Sequence, residues 1–204
     1  MEESHAKAIV IGGSSGAIDA LGVILPALPR DLFVPLAIVL HVPPSKPNGL
    51  VDLFRTTTPL TVKEAEDKEP LAPGTVYFAC PSYHLLVERG GYFSLSVDEP
   101  VHFSRPAIDV LFESAADAYG QALAGVLLSG ANEDGARGLS RILAAGGTTV
   151  VQDPNTASAR QMPESALRDG AAHRVLPPRD IAPYLVHFAA DHCAPGRSPV
   201  KEHA

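Results

Sequence analysis

The chain has 204 residues, with 16 Lys and Arg against 23 Asp and Glu, a formal net charge of −7. Its 46% hydrophobic and 19% charged residues describe a globule rather than a disordered chain, long enough for one domain with a proper core. The acidic balance argues against nucleic acid as a partner, because duplex affinity rests on neutralising phosphates with Lys and Arg. The longest apolar stretch, Val34 to Leu40, contains a proline and is far short of the ~20 residues of a membrane span.

Met1-Glu2-Glu3 is acidic where an export signal would be basic, so a cytoplasmic location is expected. The segment Lys7 to Gly12 is a short apolar, β-branched strand ending in glycines. Ala17, Leu21, Ile24 and Leu25 follow at helical spacing up to the Pro26/Pro29 stop. Phe33 to His41 is a second buried-type strand closed by Pro43-Pro44, so strand, turn, helix and strand within about 35 residues form a βαβ unit with parallel pairing.

The middle segments, Gly74 to Ala79, Tyr83 to Glu88 and Tyr92 to Val97, predict short antiparallel strands with a turn at Arg89-Gly90-Gly91. Pro106 suits the first position of a helix reaching Tyr119. Beyond it the pattern predicts a strand over Ala122 to Leu128, a helix over Gly135 to Ala145 and a strand over Thr148 to Gln152. Helices over Pro163 to Arg168 and Arg179 to Ala190 complete the domain, residues 1–193, and residues 194–204 form a polar tail. The expected fold is α/β: a mostly parallel, doubly wound sheet with helices on both faces and an antiparallel β-hairpin insertion.

Ligands of such sheets bind beyond the carboxyl ends of the strands. Those positions carry Gly12-Gly13-Ser14-Ser15-Gly16, His41, and the run Ser129 to Gly135 with Asp134. A serine, a histidine and an aspartate are the parts of a nucleophile, a base and an orienting carboxylate. The first loop fits G-x-S-x-G between strand and helix, which lifts a serine oxygen above the sheet. The helix start can stabilise an oxyanion, with the Ser15 amide nearest.

Two other readings of this loop stand beside that one. It also has the glycine-rich setting of a dinucleotide site, although no acidic residue ends the second strand to hold a ribose. It could equally be a packing turn, with His41 a structural histidine. His84, His102 and His173 stand singly and read as structural. His187, His192 and Cys193 have no zinc spacing, and Cys80 and Cys193 form no disulfide framework. The run Lys63 to Glu69 reads as a solvated edge. No metal is expected.

Taken in order, I-G-G-S-S-G-A (11–17), L-H-V-P-P (40–44), K-E-A-E-D (63–67), A-P-G-T-V-Y (72–77), R-P-A-I-D-V-L-F (105–112), G-V-L-L-S-G-A-N-E-D-G-A (125–136) and Q-M-P-E-S-A-L (161–167) form a specific set. The chain resembles the catalytic domain of the chemotaxis methylesterase family CheB over most of residues 7 to 185. The resemblance implies a serine hydrolase that demethylates glutamate methyl esters, and deamidates certain glutamines, on the cytoplasmic helices of methyl-accepting chemoreceptors, without a cofactor. Matched position by position, Ser14 is the nucleophile, His41 the base and Asp134 the orienting carboxylate.

Ser15 keeps the hydroxyl of the family's usual Thr, and Ala131 replaces a methionine near the oxyanion site, where its amide would serve. Arg105 and Arg137, in or beside matched motifs, are candidate substrate contacts or, alternatively, plain ion-pairing residues. With six residues before the first strand, no receiver domain of ~120 residues is expected in this chain. A CheB-like docking module without catalysis and a small-molecule serine esterase are the alternative functions.

Overall fold

A computed structural model describes residues 7–41 and 49–190. His192, Cys193, Pro43-Pro44 and the expected tail at residues 194–204 lie outside the described residues. The seven strands of the main sheet are β1 (Ala8–Gly13), β2 (Leu36–Leu40), β3 (Thr61–Glu64), β4 (Thr75–Phe78), β7 (Leu123–Leu127), β8 (Thr148–Gln152) and β9 (Arg174–Leu176). Their order is β3-β4-β2-β1-β7-β8-β9, with every neighbouring pair parallel. A separate antiparallel hairpin joins β5 (His84–Glu88) to β6 (Tyr92–Ser96). The helices are α1 (Ala17–Ile24), α2 (Gly49–Arg55), α3 (Ile108–Tyr119), α4 (Ala136–Ala144), α5 (Gln161–Arg168) and α6 (Pro178–Ala190).

Strand alternation sorts the apolar residues into two cores. Ile9 and Ile11 of β1, with Leu36, Ile38 and Leu40 of β2, pack under α1, α2 and α6. Ala8 and Val10, with Ala37 and Val39, point the other way, toward α3, α4, α5 and the hairpin. The central strands are therefore buried along their whole length, as a parallel sheet covered on both faces requires.

Two expectations need correction. The segment Gly74 to Ala79 is not part of the antiparallel insertion: Thr75–Phe78 lies in the parallel sheet between β2 and β3. All four of its residues are buried, whereas β5 and β6 show the mixed burial of a hairpin packed on one side. The run expected to be a solvated edge starts in the parallel edge strand β3 and is exposed from Glu66 to Lys68, with Lys63 bonded to Glu66 and Glu69. The helix expected from Pro106 starts at Ile108.

The chain winds outward from β1 on one side and returns across it to β7, so the strand order reverses between β1 and β7. That switch point opens a crevice at the carboxyl edge of the sheet.

Candidate active site

Gly13 and Leu40 are paired across β1 and β2, so Ser14 and His41 leave the two strands side by side. Neighbouring strands are about 4.8 Å apart, which sets the backbone separation of the two residues. The His41 amide still donates to Gly13 O (3.2 Å), and the Ser14 amide donates to Ser129 O beyond β7 (2.8 Å). Three strand ends are thereby tied together at the crevice.

Gly16 lets the chain turn from β1 into α1. Its φ of 79° is left-handed, and a Cβ there would stand 2.5 Å from the Ser158 Cβ and 3.0 Å from the Ser129 Oγ. Buried Ser129 holds this turn: its hydroxyl donates to Ser15 O (2.6 Å) and accepts from the Ala159 amide (2.9 Å). Gln152 in turn accepts the Ser129 amide (2.9 Å) and donates to Thr156 O (3.1 Å).

His41 and Asp134 meet directly, Nε2 to Oδ2 at 2.8 Å, with Asp134 fully buried. Because Asp134 occupies Nε2, the remaining nitrogen, Nδ1, is the one left to exchange a proton. Among the described residues, neither Nδ1 nor Ser14 Oγ has a hydrogen-bond partner. Catalytic hydrogen bonds often tighten only when substrate is bound, so the open pair is compatible with nucleophile and base.

Asp134 is held by more than His41. Its Oδ2 also accepts the Ile108 amide (2.8 Å) and its Oδ1 accepts the Asp109 amide (2.9 Å), so the carboxylate caps the free N–H groups of α3. Burial pushes the Asp134 carboxyl upward, but the His41 hydrogen bond and the two amides outweigh it and hold the group below the ordinary carboxylate value.

Asp109 returns the favour. Its Oδ1 accepts from Gly135 (3.0 Å) and Gly138 (2.7 Å) at the start of α4, the helix that Asp134 precedes. Each aspartate thus caps the helix that begins beside the other. Burial holds the Asp109 carboxyl above its ordinary value, against the pull of the Gly138 amide, and the nearby Asp134 charge adds to it. Its Oδ2 is buried and makes no hydrogen bond, with His102 Nε2 at 3.4 Å and Arg137 Nε at 3.6 Å.

A ring nitrogen of His102 and carboxylate oxygens of Asp109 and Asp134 lie within 4.8 Å of one another. This donor set contains metal-binding groups, but Asp134 already accepts three hydrogen bonds and the Arg137 guanidinium stands against Asp109. Within the cluster it is Asp134 that supports His41 by a hydrogen bond, with Asp109 and His102 packed behind it.

The other candidates fall as follows. The Ser15 and Ala131 amides have no protein acceptor among the described residues, and both residues are exposed at the crevice loops. Arg105 is engaged with backbone, its Nη1 donating to Val97 O (2.7 Å) and Asp98 O (3.0 Å). Arg137 forms an ion pair with Glu113 (2.6 Å). His84 is a structural histidine, its Nδ1 accepting the Ala107 amide and its Nε2 facing Glu99 O. His173 likewise bonds Thr149. Burial and Glu64 push the Cys80 thiol upward, away from reactive thiolate chemistry.

Sequence reading put Ser129 at a strand end of the site without a role for it, and missed Gln152, Asp109 and His102. Three of these are buried polar side chains, and His102 was assigned a solitary structural place. A buried Asp in the first turn of an amphipathic helix was the one available signal, since an unpaired buried carboxylate is costly.

The model of the CheB methylesterase family matches residues 9–185. The chain belongs to the CheB methylesterase family. A Leptospira interrogans relative is 45% identical over 182 residues, 89% of this chain and 94% of that protein. The Symbiobacterium thermophilum protein-glutamate methylesterase/protein-glutamine glutaminase is 38% identical over 86% of this chain. The Thermotoga maritima protein of the same name is 36% identical over 89%. The chain spans about half the length of these last two, 49% and 54%. The crystal structure of the Thermotoga maritima CheB methylesterase catalytic domain superposes with a TM-score of 0.87 at 35% identity, covering 90% of this chain and 98% of that one. The doubly wound CheB fold and the hairpin expected from the sequence are both present.

Proposed function

We propose that this CheB-family chain is a protein-glutamate methylesterase that works as a serine hydrolase on methyl-accepting chemoreceptors in the cytoplasm. No described helix is long and apolar enough to cross a membrane. The observation that carries the mechanism is the 2.8 Å contact of His41 Nε2 with a buried, amide-held Asp134, beside a serine that leaves the adjacent strand in register.

In this mechanism His41 Nδ1 takes the Ser14 proton as Oγ attacks the ester carbonyl of a methylated glutamate. The Ser15 and Ala131 amides hold the oxyanion, each worth about 3 kcal/mol in comparable hydrolases. The tetrahedral species collapses, His41 returns the proton to the leaving methoxide, and methanol departs from an acyl-enzyme. Water, deprotonated by His41, then attacks the acyl carbonyl; Ser14 recovers its proton and the glutamate carboxylate is released. Asp134 keeps the proton on Nε2 and faces the positive imidazolium as it forms. The same steps with ammonia as leaving group deamidate a glutamine.

Ser14→Ala tests this reading. It removes a hydroxyl that bonds no described group, so the fold and Tm should hold while methanol release from a methylated receptor fragment and fluorophosphonate labelling are both lost. Turnover near that of the unmodified protein would overturn the mechanism. Labelling without receptor demethylation would point to a small-molecule esterase, and folding without labelling to a docking module.

A further inference from the structure

The turn that leads into α3 runs against ordinary turn preferences. Val101 and Ser104 exchange two backbone hydrogen bonds, at 3.1 and 2.9 Å, and close a two-residue hairpin. Its central residues, His102 and Phe103, both have left-handed φ, 48° and 60°. Such turns select Asn-Gly or Asp-Gly pairs, because a side chain with a bulky Cβ substituent is strained there. Phe103 is also wholly exposed, at 104%, so no packing among the described residues offsets the strain. Exposed Phe33, by contrast, lies before β2 at the opposite, amino edge of the sheet.

This turn is pinned to its surroundings. His102 Nε2 stands 3.4 Å from Asp109 Oδ2, and its Nδ1 stands 3.7 Å from Glu133. Arg105 ties the end of the turn to Val97 and Asp98, while His84 bridges Glu99 and Ala107. A His102 nitrogen lies within 4.8 Å of an Asp134 oxygen, and Asp134 holds His41. A strained, braced turn therefore carries a bare aromatic ring next to the histidine that stands against the carboxylates behind His41, at the sheet edge where Ser14 also lies.

We propose that Phe103 is a specificity-determining residue whose ring receives an apolar side chain of the protein substrate beside the esterified glutamate. The inference rests on the hydrolase reading and adds how a protein, rather than any small ester, is selected. If the substrate is helical, residues three and four positions from the glutamate lie about 5–6 Å from it, on a rod about 10–12 Å across. An ester seated at Ser14 then leaves those neighbours at the same carboxyl edge that carries the turn. A rigid exposed aromatic loses little conformational freedom on contact, which is why such residues serve as anchors.

The test compares wild type with F103A, F103G and F103Y, using a tritium-methylated chemoreceptor fragment that the wild type hydrolyses and a fluorophosphonate that labels Ser14. For F103A and F103G, kcat/KM on the fragment should fall about tenfold or more, chiefly through KM, relative to the labelling rate. F103Y should keep most of the wild-type ratio. F103G should also raise Tm by about 1–3 °C, because glycine adopts this φ freely. Undiminished turnover of the fragment, an equal fall in turnover and labelling, or a lower Tm for F103G would each overturn the proposal. Failure of the wild type to label at all would instead defeat the hydrolase reading on which it rests.

Discussion

Asp134→Asn separates the two functions that the carboxylate combines. Oδ2 faces two donors, His41 Nε2 and the Ile108 amide, while Oδ1 faces one, the Asp109 amide. An asparagine must set its NH2 against one side, and the side with a single donor is the cheaper choice. The amide oxygen then stays on His41, the histidine tautomer is kept, and the Asp109 N–H is left buried against another donor. That mismatch costs about 1–3 kcal/mol of stability, or a Tm lower by about 2–10 °C for a chain of this size.

On the catalytic side, the variant loses a negative charge opposite the imidazolium. A hydrogen bond to a charged partner contributes about 1.5–3 kcal/mol, roughly twice a neutral one. Losing about half of that, roughly 1–1.5 kcal/mol, in the transition state lowers kcat about 5- to 13-fold. The alternative rotamer, with NH2 on His41, reverses the tautomer and drops kcat by about 10⁴. Thermal melts with single-turnover demethylation read both quantities. An unchanged Tm with unchanged kcat would refute the argument, and a kcat loss near 10⁴ with a melt lowered at least as far would show that the asparagine prefers the other rotamer, which leaves the Ile108 amide unpaired instead.

The paired carboxylates should also answer acid in opposite directions. Asp134 has its folded pKa depressed, so its contribution to stability is present above the unfolded pKa and is lost as pH falls through the folded one. Asp109 has its folded pKa raised, so its favourable contribution is present at low pH and is lost as pH rises through the folded value. Asp109→Asn keeps an acceptor for Gly135 and Gly138 and removes that penalty, so the variant should gain on wild type in Tm between pH 4 and pH 7; a constant difference would contradict it. Gly16→Ala should destabilise the fold and abolish turnover, because a Cβ at φ 79° meets Ser158 and Ser129; a melt within 1 °C of wild type would show that the turn relaxes freely.

Much of the architecture could be read in advance because the central strands are continuous apolar runs and the first crossover has its own turn and stop signals. The misplacement of Thr75–Phe78 has a physical origin. Its neighbours in sequence are hairpin strands, and a four-residue run does not disclose whether one face or both are covered. The short edge strands β3 and β9 are partly exposed and polar, so their pairing depends on the sheet already being there. At the site, Ser14, His41 and Asp134 were legible as strand-end residues within matched motifs. The braces were not: Asp109 lies 25 residues from Asp134 and Ser129 lies 114 from Ser15, and only the completed sheet brings them together.

The exchange of caps between α3 and α4 bears on how this site would decay. On the proposed mechanism a mutation at Ser14 removes chemistry and leaves the architecture standing, whereas one at Asp134 leaves the start of a twelve-residue helix without an acceptor. The two residues are therefore exposed to different selection, one for turnover alone and the other for folding as well. Descendants of this chain that abandon hydrolysis should lose the serine first and keep the aspartate long after it has ceased to orient a base. In such a lineage an intact aspartate would be a record of helix packing rather than of activity.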